Sequence, residues 1–89
     1  GQGLDYPGRA MSEGSVGADV SLIEDWLNSR AQLYCEEDYV TENAAFGPEE
    51  TAAVKAAQRR AGLEPNGTVD RATWAALRAQ SCDTCTEEG

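Results

Sequence analysis

One short unit occurs twice in this chain and constrains its fold more than any other feature. Phe46-Gly47-Pro48-Glu49-Glu50 followed by Val54 parallels Val69-Asp70-Arg71-Ala72-Thr73 followed by Leu77. In both copies an apolar anchor precedes a helix-capping residue, a helix start follows, and a second apolar residue comes eight positions after the anchor. Asn43 and Asn66 each stand three residues before their anchor. The unit therefore reads as turn, anchor, cap, helix. A looser third copy begins at Val16, with Val20 one turn on. Three short helices with loop anchors tucked beneath them make an all-α, compact three-helix domain.

The helices can be bounded from their ends. The first is expected over 17–30, where Val16, Val20, Ile23 and Leu27 form an apolar stripe at helical spacing, widened by Leu22 and Trp26. The second is expected over 48–61. Gly47 serves as N-cap, Pro48 suits the first helical position, and Glu49 and Glu50 favour the positive end of the helix dipole. Val54, Ala57, Gln58 and Ala61 make its inner face, Gly62 ends it and Leu63 packs back over the cap. Asn66-Gly67 is a turn signal, Val69 re-enters the core, and Asp70 caps a third helix over 70–80 with Trp74 and Leu77 facing inward. Leu33 to Phe46 has no sustained period and reads as a long acidic, aromatic loop. Residues 1–5 read as a flexible arm, 6–80 as the domain and 81–89 as a cysteine-containing acidic tail.

Composition limits what such a domain can do. Of its 36 hydrophobic residues 14 are alanine, so only 22 larger apolar side chains can fill a core. Seven basic against sixteen acidic residues, net charge −9, cannot build the basic face that nucleic acid or an anionic membrane surface requires. With no histidine there is no Ser-His or Cys-His pair and no His-ligated zinc. A glycosidase carboxylate pair needs a cleft that this small core cannot supply, so no catalytic residue is assigned. No D-x-D-x-D-G calcium loop is present, no metal site or cofactor is expected, and no apolar run reaches the roughly 20 residues of a membrane span. The chain reads as a soluble, processed or excised module, expected to be monomeric.

Cys35, Cys82 and Cys85 remain. A structural zinc site wants four ligands, and only three thiols exist. The expected arrangement is a disulfide from Cys35, after the first helix, to Cys82 or Cys85, after the third, in a secreted protein. It would close a loop of 47 or 50 residues, a constraint of about 4 kcal/mol in the chain-entropy model. A local Cys82–Cys85 bridge is the alternative, and either leaves one thiol over.

Three stretches resemble the peptidoglycan-binding-like domain that accompanies bacterial and phage wall hydrolases. The first is Tyr6-Pro7-Gly8, Met11 and Gly14-Ser15-Val16-Gly17-Ala18-Asp19-Val20. The second is Phe46-Gly47-Pro48, Ala53-Val54-Lys55 and Gln58. The third is Gly62-Leu63, Asn66-Gly67, Val69, Thr73-Trp74 and Leu77. The resemblance spans about residues 6–78 and departs from the family pattern at several places. Asn43-Ala44 replaces an Asp-Gly, Glu50 a threonine, Glu24 a helix-one glutamine, and Ala57 an aromatic, leaving volume for Trp26, Tyr34 or Tyr39 to fill.

The resemblance implies a noncatalytic module that binds peptidoglycan or its fragments and targets an attached or partner hydrolase, in the cell wall or secreted. The alternative is a protein-interaction or covering domain, as in the similar fold of matrix metalloprotease propeptides. Cys82 lies in a comparable place to the cysteine of those propeptides, but without its Arg-Cys-Gly context. Tyr39 and Asn43 before helix two, and Asn66 and Arg71 around the next turn, are the candidate ligand contacts, because loops on a rigid scaffold carry binding groups. Gln58, Thr73 and Trp74 read as structural: a buried amide satisfying loop backbone, a capping residue and a core ring.

Overall fold

The structure, a computed structural model, describes residues 6–34 and 39–81. Three helices are present, α1 (Ala18–Leu33), α2 (Pro48–Ala61) and α3 (Arg71–Ser81), and the described residues contain no β-strand. They pack around one core with a Cα radius of gyration of 11.7 Å. The arm at 1–5, Cys35, Cys82 and Cys85 lie outside the described residues, as does all of the tail except Ser81, which ends α3.

Helix α2 has the ends its sequence predicts. Pro48 is its first residue, and Glu50 turns back to accept the Gly47 N–H at 2.8 Å, the carboxylate half of a capping box. At the other end Gly62 is left-handed at φ 77°. The Gly62 N–H donates to Arg59 O at 3.1 Å and the Leu63 N–H to Gln58 O at 2.8 Å, a Schellman closure. Helix α1 runs one turn further than its periodicity indicates. Its last turn is held from outside: Arg30 and Ala31 are fully buried, and the Arg30 Nε–H donates to Gln80 Oε1 on α3. Gln80 in turn donates from Nε2 to Ala57 O on α2 at 3.0 Å, so one polar strut ties all three helices.

Both repeat anchors are buried, Phe46 and Val69 at 3% and 0% exposure. The third differs from expectation. Val16 is 69% exposed, and Met11, at 1%, takes the anchor's place. The cause is a backbone pairing: residues 11–17 cross both anchor loops, with a turn at Glu13-Gly14 closed by the Ser15 N–H donating to Ser12 O at 2.9 Å. Met11 and Val69 exchange N–H···O bonds at 3.1 and 2.7 Å, Gly14 N–H donates to Phe46 O and Phe46 N–H to Ser15 O, both at 2.8 Å. Val16 is itself bridged to Ala45, and Gly17 then turns the chain at φ 121° into α1. The valine is left on the outer side of this seam.

Trp26 and Trp74 meet edge to face at 4.9 Å between ring centroids, and Tyr6 adds a second such contact on Trp74 at 6.0 Å. Of the three side chains expected to fill the space beside Ala57, Trp26 joins the same core cluster. Tyr39 faces outward, 54% exposed, and Tyr34 stacks under the Arg60 guanidinium at 3.8 Å.

Candidate functional site

Helix α2 has two faces. Glu50, Ala53, Val54, Ala57 and Gln58 are buried. The opposite face carries Pro48, Thr51, Ala52, Lys55, Ala56 and Arg59, at spacings of three and four that stack them along one side of the helix. With Glu13 from the turn ahead of α1 these six residues line an open groove of about 380 Å³. The lining combines the short side chains of Pro48, Thr51, Ala52 and Ala56 with the longer, charged Lys55, Arg59 and Glu13. In a chain of net charge −9 this groove holds two cations against one acid.

The groove is buttressed from behind by the Asn66-Gly67 turn. Gly67 is left-handed at φ 80°, and a β-carbon there would come within 2.8 Å of Thr51 Cγ2 and 3.3 Å of Lys55 Cε. Turn backbone thus packs directly on the stems of two groove residues, which only glycine permits. Gln58 holds the turn in place. Its Oε1 accepts the Gly67 N–H at 2.9 Å, and its Nε2 lies 2.9 Å from Asn66 Oδ1, 3.0 Å from Thr68 O and 3.0 Å from Thr73 Oγ1. A nitrogen with two hydrogens facing three acceptors shares them. Beyond it, Asp70 accepts the Thr73 N–H at 2.9 Å as N-cap of α3. That bond, chiefly, holds the Asp70 carboxyl below its ordinary 3.8, because it stabilises the charged form.

Placed on this frame, the four residues expected to contact ligand fall outside the groove. Tyr39 is exposed on the loop before α2. Asn43 accepts the Ala45 N–H at 3.1 Å and so builds its own turn. Asn66 spends its oxygen on Gln58 and on the Thr68 N–H. Arg71 sits over the Tyr6 ring at 5.0 Å. Both asparagines keep an amide nitrogen for outside contacts, while their oxygens are engaged internally. Gln58, Thr73 and Trp74 are all buried. Lys55, Arg59 and Thr51 were not among the expected contacts. The available signal was the outer face of α2, where small Ala52 and Ala56 and cationic Lys55 and Arg59 each repeat at a spacing of four.

Among the described residues no group of three acidic or cysteine side chains could hold a metal ion, and no helix is long and apolar enough to cross a membrane. A family model described as "Putative peptidoglycan binding domain" matches residues 16–77, well over half of the chain. Neither the curated proteins nor the solved structures give a match.

Proposed function

We propose, from the premise that the chain belongs to the peptidoglycan binding domain family, that it is a noncatalytic module that seats peptidoglycan in the α2 groove. Cell-wall association follows from the family; tethering of an attached or partner hydrolase to its substrate, from outside the cell, is our extension of it. The observation that supports the groove as the contact is its charge. Lys55 and Arg59 line the groove beside small side chains, and peptidoglycan stem peptides end in carboxylates that such cations can pair with at short range. Contact at a few ångströms is little screened by salt, so binding is compatible with the chain's overall negative charge. Tethering would act by raising the hydrolase's effective concentration at the wall.

Co-sedimentation of the domain with purified sacculi tests the reading. The expected result is pelleting with sacculi, no muropeptide release, and at least about tenfold weaker binding for a Lys55→Glu, Arg59→Glu double variant, equivalent to about 1.4 kcal/mol. Binding unchanged in that variant would move the contact away from the groove. Release of muropeptides by the domain alone would overturn the noncatalytic role.

A further inference from the structure

Two glutamates that the groove does not use are buried against each other. Glu24 comes from the middle of α1 and Glu50 from the first turn of α2, at 0% and 2% exposure. Each has one oxygen satisfied by loop backbone. Glu24 Oε1 accepts the Ala44 N–H at 2.8 Å and Glu50 Oε1 accepts the Gly47 N–H at 2.8 Å. Each second oxygen is buried with no hydrogen-bond partner, and the Glu50 side chain is the acidic neighbour that acts on the Glu24 carboxyl. Two ionised carboxylates are acceptors only, so a bond between them requires a proton on one.

We infer that Glu24 and Glu50 share one proton in the folded domain and form an acid-stabilised clasp between α1, the 44–47 loop and the start of α2. Among the described residues no cation is ion-paired with either carboxyl. Besides Glu50, the groups acting on Glu24 are the backbone amides of Ala44 and Asn43. The neighbouring acids are engaged elsewhere at the surface, Glu42 with Asn28 Nδ2 at 2.9 Å and Glu49 with the Thr41 N–H at 3.0 Å. Among the described residues no hydrogen bond or ion pair joins either carboxyl to α3. Burial first, and then the bond to Glu50, push the Glu24 carboxyl above its ordinary 4.5.

The direction of the pH effect follows. A group that holds its proton more tightly folded than unfolded contributes stability that is fully present below its unfolded value and is lost as pH rises through the folded one. The clasp is therefore tightest in mild acid and loosens toward neutral and alkaline pH. What it holds is the loop leading into Gly47, next to Pro48 at the end of the groove.

Glu24→Gln is the discriminating variant. Glutamine can accept from Ala44 through its oxygen and donate to Glu50 through its nitrogen without borrowing a proton. Thermal melts of wild type and Glu24→Gln are compared from about pH 4 to about pH 8. The two Tm values should coincide at the acid end, and the variant should lead by about 4 °C or more at the alkaline end. Melting curves that stay parallel across the range would overturn the shared proton. Carboxyl ¹³C titration of the native protein gives an independent readout that stands even if the variant folds poorly. One glutamate should titrate above 4.5, the ordinary value for Glu24. If every glutamate in the folded protein titrates at or below that value, the clasp does not exist.

Discussion

Replacing Gln58 by leucine removes a hub without greatly changing side-chain size. Gln58 is 1% exposed, and its amide serves four groups in one loop and one helix start: Asn66, Gly67, Thr68 and Thr73. Two of them are main-chain groups with no other hydrogen-bond partner among the described residues, the buried Gly67 N–H and the part-buried Thr68 carbonyl. Leaving a buried donor or acceptor unsatisfied costs about 1–3 kcal/mol each, partly offset by leucine's own burial, so the net loss is about 3 kcal/mol. An 89-residue domain has about 4–13 kcal/mol in total, and each kcal/mol shifts Tm by about 4–8 °C at this size. Circular-dichroism melts should therefore show Tm lower by about 12–24 °C, with urea unfolding giving a matching free-energy loss.

Amide exchange localises the effect: the Gly67 N–H should lose protection in Gln58→Leu well before amides in the middle of α1 do. Gln58→Glu refines the reasoning. It keeps an acceptor for Gly67 but turns an oxygen toward Asn66 Oδ1 and Thr68 O, so it should be destabilised at neutral pH and partly recover in acid, when a protonated carboxyl can donate. A Gln58→Leu protein within about 0.5 kcal/mol of wild type, the range of an ordinary surface substitution, would refute the hub.

Two further outcomes are open to the same melts. Val54, fully buried at the centre of the core, should cost about 1–3 kcal/mol when truncated to alanine, and an unchanged midpoint would place it outside the packed core. Asp70→Ala should cost about 1 kcal/mol at neutral pH as a lost N-cap. Because the Asp70 carboxyl is held below 3.8, the cap's contribution is present above that value and fades as pH falls through the lowered one, so wild type and variant should converge in strong acid. A gap that persists there would mean that Asp70 acts through something other than its charge.

Helix positions, the two anchor loops and the all-α class were legible in the sequence because each rests on local chemistry. Gly47-Pro48 and Gly62 delimit α2 through backbone geometry that those residues have in any context, and Asp70 caps α3 by reaching its own third neighbour. Phe46 and Val69 were identifiable as anchors because both precede a cap at the same offset. Gln58 could be read as structural, since a long amide on an apolar helix face must find partners in whatever loop lies above it.

Everything that depends on segments distant in the chain was decided by the tertiary structure. Val16 and Met11 are both apolar residues ahead of a helix, and only the pairing of residues 11–17 with the two anchor loops determines that methionine goes in and valine out. The last turn of α1 exists because Gln80, fifty residues away, receives Arg30. The groove is made by the outer face of α2 meeting Glu13, with the Gly67 turn behind it, a juxtaposition no local pattern contains. Glu24 and Glu50 are the sharpest case. Among sixteen acids nothing in the spelling marks these two as buried, because burial of a carboxyl is set by what packs over it, and only packing α1 and the 44–47 loop over the start of α2 buries both.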